Sequence, residues 1–248
     1  MKPSEGLHGQ PDVVRLSDED AATQLLVGAV EGLWDVISQL TRLRRTQRAN
    51  YRVTIFGSAR ARPGVFPYDE VKRLAAELTT LGCDIITGGG PGLMQAANEG
   101  AMSAGADAPG RSIGVRVELP FEQDTNAFVG ELYRHKTFFS RLHQFMIASD
   151  AFVVVPGGIG SLLEMSMVWQ LLQVSQLHRT PLILVGTMWA ELIEWARKSM
   201  LRPDVPLAGA ADMEIPRCVG TVEETVAIIR QDRAEWLAQQ AAASRAQG

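Results

Sequence analysis

Ala151-Phe152-Val153-Val154-Val155-Pro156-Gly157-Gly158-Ile159-Gly160-Ser161-Leu162-Leu163-Glu164 passes from an unbroken apolar run, through a glycine turn, into a helical pattern. A short apolar run bounded by Pro and Gly is the mark of a strand buried on both faces, as in a parallel sheet. A glycine turn between such a strand and a helix lets backbone N–H groups and the positive helix end converge on an anion with no Cβ in the way. The arrangement recurs upstream, where Cys83-Asp84-Ile85-Ile86-Thr87 leads into Gly88-Gly89-Gly90-Pro91-Gly92, and Gly57-Ser58-Ala59-Arg60 follows the apolar stretch Val53–Phe56.

Along the rest of the chain, strands are expected near Val53–Phe56, Asp84–Thr87, Ile113–Glu118, Phe152–Val155, Leu182–Val185 and Ile215–Val219, with a short extended piece around Leu132–His135. Helical periodicity fills the gaps at Tyr68–Leu81, Gly92–Ala104, Thr137–Ser149, Ser161–Leu177, Trp189–Met200 and Val222–Gln240. This alternation predicts an α/β fold, a Rossmann-like open parallel sheet of about six to seven strands with helices on both faces. Residues 1–16 read as a polar tail and 17–48 as an amphipathic helix whose stripe is Leu26, Val30, Leu33, Ile37 and Leu40. Residues 51–240 form the nucleotide-binding domain and 241–248 a C-terminal tail. The helix after Ser161 is apolar around its circumference, so it needs a second cover, either the N-terminal helix or a symmetric partner chain.

Composition narrows the function. The 248 residues carry 28 acids against 24 bases, a net charge of −4, which does not recommend a nucleic-acid partner. Arg42, Arg44, Arg45, Arg48 and Arg52 are a local exception, read as a solvated helix end or as an RNA or anion contact. Two cysteines, Cys83 and Cys218, have no metal-ligand spacing and suit a reducing compartment. No stretch approaches the roughly 20 apolar residues of a membrane span, so a cytoplasmic protein is expected.

Neither glycine run is a P-loop, because no Gly-Lys-Ser/Thr follows, and neither completes the dinucleotide fingerprint. Glu164 admits two readings. Ser161-Leu162-Leu163-Glu164 is a capping box, and a carboxylate one turn into a phosphate-holding helix is also placed to touch a ribose hydroxyl or a water. Arg141, between Phe138 and Phe145, needs an anion, which could be Asp150, Glu118, a phosphate or Glu164. Arg134, His135, Lys136 and His143 lie close by in sequence and take no assigned role. No cluster of metal ligands is visible, and neither metal nor cofactor is called for.

Four motifs together, Gly88-Gly89-Gly90-Pro91-Gly92-Leu93-Met94, Glu118-Leu119-Pro120-Phe121-Glu122-Gln123, Phe138-Phe139-Ser140-Arg141 and Pro156-Gly157-Gly158-Ile159-Gly160-Ser161-Leu162-Leu163-Glu164, resemble the LONELY GUY (LOG) family. That resemblance covers about Tyr51 to Met200. It implies a phosphoribohydrolase cutting the N-glycosidic bond of a nucleoside 5′-monophosphate, AMP or a cytokinin ribotide. It implies that Gly157, Gly158, Gly160 and Ser161 hold phosphate, that Glu164 and Arg141 are essential, and that Glu122 contacts substrate. Gly89, Gly90 and Met94 would line the cleft beside Gly57 and Ser58. A homodimer is expected. The chain departs from the family at Leu142, where lysine is usual, at Ser161 in place of threonine, and at Leu163 in place of an acid. The family's frequent label, lysine decarboxylase, demands a Schiff-base lysine, and the chain has Lys2, Lys72, Lys136 and Lys198 alone. A carrier or sensor that grips a nucleotide or cofactor without cutting it is the rival reading.

Overall fold

The structure, a computed structural model, describes residues 19–24, 26–28, 30, 49–105, 107–117, 125–177 and 180–246. The chain divides into two compact units, residues 1–47 and 48–248. In the first, the described residues are helical. Leu26 and Val30 of the expected stripe fall among them, whereas Leu33, Ile37, Leu40 and the arginines Arg42, Arg44, Arg45 and Arg48 lie outside the described residues.

The second unit alternates strand and helix. Its strands are β1 (Tyr51–Phe56), β2 (Cys83–Thr87), β3 (Ser112–Val117), β4 (Glu131–His135), β5 (Ala151–Val154), β6 (Leu182–Val185) and β7 (Pro216–Val219). Its helices are α1 (Phe66–Thr80), α2 (Leu93–Ser103), α3 (Phe138–Ala148), α4 (Ile159–Gln173), α5 (Thr187–Met200) and α6 (Val222–Ala246). All seven strands pair in parallel in the order β4-β3-β2-β1-β5-β6-β7, so the sheet is the expected open Rossmann-like one. The extended piece at Leu132–His135 is the edge strand β4, in register with β3 from Ile113↔Glu131 to Val117↔His135.

Strand side chains alternate between faces, and two cores follow from that period of two. Val53, Ile55, Ile85, Val153 and Ile183 pack with α1, α2 and α6 through Leu74, Leu78, Ala97 and Ile229. Phe56, Ile86, Ile113, Phe152 and Leu184 pack on the opposite face with α3, α4 and α5 through Phe145, Met165, Val168 and Trp189. Helix α4 is thinly covered for so apolar a helix. Of its 15 residues only Ser161, Met165 and Val168 are buried, while Ile159 and Leu163 are exposed.

Two boundaries differ from the sequence reading in ways that matter. Helix α4 begins at Ile159, with Gly158 as its N-cap and no side-chain cap. Ser161 is therefore inside the first turn, and the capping box anticipated for Ser161 and Glu164 does not form. At the other end of the chain α6 continues to Ala246, six residues past Gln240, because the alanine-rich stretch there has high helix propensity.

Candidate nucleotide site

β1 connects through α1 to β2 on one side of the sheet, and β5 connects through α4 to β6 on the other. The chain direction thus reverses between β1 and β5, where an open α/β sheet leaves a crevice beyond its carboxyl ends. Three turns meet there. The Ser58 N–H donates to Pro156 O at 3.1 Å, and Ser58 O accepts from the Leu93 N–H at 2.8 Å, so the backbone of Ser58 ties the β1, β2 and β5 turns together. The Ser58 hydroxyl is turned into its own loop, accepting from the Arg60 N–H at 3.1 Å.

The glycines divide by what a Cβ would meet. Gly57 and Gly157 face each other across the crevice floor. A Cβ on Gly57 would lie 2.5 Å from Val155 Cγ2, and one on Gly157 would collide with Ser161. Gly89 and Gly92 have φ of +69° and +71°, the left-handed region that favours glycine, and a Cβ on Gly92 would strike the Ser58 backbone. Gly158 and Gly160 are different, because a Cβ on either meets nothing within 4 Å. Neither is required by packing. Both stand at the start of α4, where the Leu162 N–H to Gly158 O bond of 2.9 Å is the first of the helix and the preceding amides have no intrahelical acceptor. Open space over uncapped amides at a positive helix end is the geometry that an anion cradle requires.

The carboxylate and the guanidinium come together beside this cradle. Arg141 on α3 and Glu164 on α4 form an ion pair, Nη1 to Oε1 3.5 Å, with both side chains 13% exposed. Asp150, one of the anticipated partners of Arg141, instead accepts from the Arg52 N–H at 2.9 Å. Arg141 is held on three further sides. Its Nε–H donates to Val115 O at 2.9 Å, its guanidinium carbon lies 5.2 Å from the Phe145 ring centroid, and its Nη2 occupies the space that a Cβ on Gly88 would take. Burial pushes the Glu164 carboxyl up to about 7, with the Arg141 charge opposing the rise. The nearby His135, at the end of β4, is held below the usual histidine range by burial and by the charges of Arg141 and His143. Met94 lies over the β2 turn, its Cε 2.9 Å from where a Cβ of Gly90 would sit.

Residues 94–229, more than half of the chain, match the family described as "Possible lysine decarboxylase". The chain belongs to this LOG-type family. The match takes in Met94, Arg141, the cradle and Glu164, and leaves Gly57, Ser58 and the Gly88–Gly90 turn upstream. Among solved structures, this LOG-family chain is similar to TM1055, a structural-genomics target (21% identity, 73% of this chain and 99% of that one, TM-score 0.53). It is also similar to the molybdenum cofactor carrier protein of Chlamydomonas reinhardtii (20%, 75% and 99%, TM-score 0.56). A third is the molybdenum cofactor binding protein of Rippkaea orientalis (17%, 75% and 98%, TM-score 0.56). No curated protein matches the sequence. At these identities the solved structures establish the fold.

The remaining expected residues fall as follows. Glu122 lies outside the described residues, as does Glu118. Leu142 is buried on α3, and Leu163 is exposed, so neither puts a charge at the crevice. Arg52 is paired with the buried Asp84, Nε to Oδ2 3.3 Å, and so leaves the arginine cluster to serve the sheet. Among the described residues there is no group of three His, Cys, Asp or Glu placed to hold a metal, and no helix long and apolar enough to cross a membrane. An apolar cavity of about 210 Å³ opens next to the crevice, lined by Phe66, Val71, Leu74, Pro156 and Val222. It shares Pro156 with the cradle but is lined by neither Glu164 nor Arg141.

The sequence reading missed Asn98 and Asn126. Asn98 is wholly buried on the apolar face of α2, among Leu93, Ala96, Ala97 and Ala101, and Asn126 reaches the β2 turn. The signal for Asn98 was available. A polar residue within an apolar helical stripe must find partners, and those partners mark something built.

Proposed function

We propose that this protein hydrolyses the N-glycosidic bond of a purine nucleoside 5′-monophosphate, AMP or a cytokinin riboside 5′-monophosphate, in the cytoplasm, releasing the base and ribose 5-phosphate. The observation that carries the reading is the Glu164 carboxylate, dried by burial and paired with Arg141 beside an open, uncapped helix start. The phosphate sits on the amides of Gly158, Ile159, Gly160 and Ser161, and this remote grip positions the scissile bond. Departure of the base builds positive charge on the ribose ring, as in glycoside hydrolysis. Glu164, ionised, faces that charge and takes a proton from the attacking water. Arg141 keeps Glu164 aimed and offsets the phosphate charge, while Gly89, Gly90 and Met94 line the cleft. Glu122 contacts the substrate from the β3–β4 connection. A second copy of the chain covers the apolar outer side of α4 at Ile159 and Leu163, making a homodimer.

The described lysines do not fit pyridoxal phosphate chemistry. Lys72 is paired with Glu99 at 2.7 Å, Lys198 with Glu194 at 3.7 Å along α5, and Lys136 is exposed ahead of α3, so among the described residues none occupies the desolvated setting of a Schiff-base lysine. A carrier reading has one specific observation in its favour, the similarity to molybdenum cofactor carrier proteins. Incubating the purified protein with AMP and measuring free adenine separates the two. Adenine in proportion to enzyme and time supports hydrolysis, and calorimetric binding of AMP with no adenine after hours points to the carrier.

A further inference from the structure

The β2 turn is fastened from below by a closed set of hydrogen bonds that the cleft chemistry does not use. The Gly89 N–H donates to Thr87 Oγ1 at 2.9 Å, and Thr87 Oγ1 donates to Asn98 Oδ1 at 2.7 Å. Asn98 Nδ2 donates to Ser112 Oγ at 2.9 Å, and that hydroxyl donates to Phe128 O at 2.6 Å. Asn126 closes the circuit. Its N–H donates to Gly89 O at 3.0 Å, its Nδ2 donates to Gly90 O at 2.9 Å and to Asn98 Oδ1 at 3.0 Å, and its Oδ1 accepts from the Phe128 N–H at 3.1 Å. The side-chain amide has two N–H donors and a carbonyl acceptor, and all three are engaged.

Asn126 also has a telling place in the chain. It stands five residues ahead of β4, on the connection from β3 that in sequence also includes Glu122, and it grips the β2 turn beside the crevice. The two carbonyls it holds, those of Gly89 and Gly90, are turned to its side. In a trans peptide the N–H points opposite to the preceding C=O, so this grip also aims the Gly90 N–H away from Asn126. Gly88, the first residue of the same turn, is in van der Waals reach of Arg141.

We propose that Asn126 is a positioning residue of the nucleotide site, holding the Gly88–Gly90 turn and the returning end of the β3–β4 connection as one unit. Only the kinetic part of the test rests on the hydrolase reading above. The isosteric Asn126→Asp keeps the acceptor for Phe128 and the backbone bond to Gly89 O but sets a carboxylate against two acceptors, Gly90 O and Asn98 Oδ1, so the side-chain half of the grip is lost without a change in volume. Hydrogen exchange in a peptide spanning the Gly88–Gly92 turn should quicken at least about tenfold, the scale expected when a supporting hydrogen bond is removed. KM for AMP should rise about tenfold with kcat within about threefold, because the turn is a binding wall. Ser149→Ala is the control. It removes a buried hydroxyl that donates to Phe145 O at 2.7 Å at the far ends of the strands, and it should lower Tm while leaving KM and turn exchange unchanged. If Asn126→Asp does not fold, Thr87→Val cuts the same circuit at Gly89 and should act in the same direction. Turn exchange and KM equal to those of Ser149→Ala overturn the proposal. If the wild type releases no adenine, the hydrolase reading falls and the exchange measurement alone decides, faster exchange at the turn sustaining the positioning role and unchanged exchange removing it.

Discussion

Replacing Glu164 with Gln should stabilise the protein above neutral pH while abolishing turnover. The carboxyl rises from 4.5 to about 7 on folding because the crevice is dry, and the Arg141 guanidinium 3.5 Å away recovers part of that rise. The folded protein therefore holds this proton to higher pH than the unfolded chain does. Its stabilising contribution is complete below about pH 4.5 and is lost as pH climbs through about 7. The rise corresponds to about 3 kcal/mol of stability forgone at alkaline pH, or about 6–12 °C in Tm for a domain of this size. Gln mimics the protonated acid and does not titrate. Urea unfolding of both proteins between about pH 5 and pH 8 should show curves that nearly coincide at the acid end and separate with rising pH, the variant on top. The subtraction cancels the other titrating groups. A gap that stays constant, or a wild type that is the more stable at the alkaline end, would defeat the claim that Glu164 is a dry carboxylate. Activity should run the other way, kcat/KM of the wild type increasing through about 7 as the working base ionises.

Arg141→Lys should lower kcat/KM by about 10²-fold, because an ammonium cannot bond Val115 O through a planar fork and lie on Phe145 while still reaching Glu164; steady-state adenine release measures it. Gly158→Ala and Gly160→Ala should leave Tm unchanged or slightly raised, by up to about 1 kcal/mol, yet weaken calorimetric binding of AMP, since their Cβ atoms enter the space left for the anion. Gly157→Ala should instead unfold at lower temperature, because Ser161 must move. Leu163→Asp should shift the protein to monomer in analytical ultracentrifugation if a second copy covers α4, with a fold that is otherwise intact by circular dichroism.

The sheet is legible in the sequence because its signals are local. Phe152, Val153, Val154 and Val155 form an apolar run closed by Pro156, and Ile85 and Ile86 stop, after Thr87, at three glycines. The start of α4 differs from its sequence reading for a physical reason. A serine three residues before a glutamate is normally a cap, but here the helix begins two residues earlier on glycines whose backbone needs no side-chain partner. The Arg141–Glu164 pair can be raised from the sequence only as one choice among several, since it depends on two helices packing on the same face of the sheet. Asn126 is invisible there because its partners, Gly90 and Asn98, are 36 and 28 residues away and are brought to it by the β3–β2 pairing.

The thin cover on α4 has a consequence for how Glu164 behaves. A helix that buries Ser161, Met165 and Val168 fully, and Leu162, Met167, Trp169, Leu171 and Leu172 only in part, keeps its carboxylate dry only as far as its surroundings exclude water. The subunit's own burial raises the pKa of that group, and cover on the outer side of the helix adds to that rise, so wetting α4 would lower the pH at which Glu164 lets go of its proton, with no change to any atom of the crevice itself.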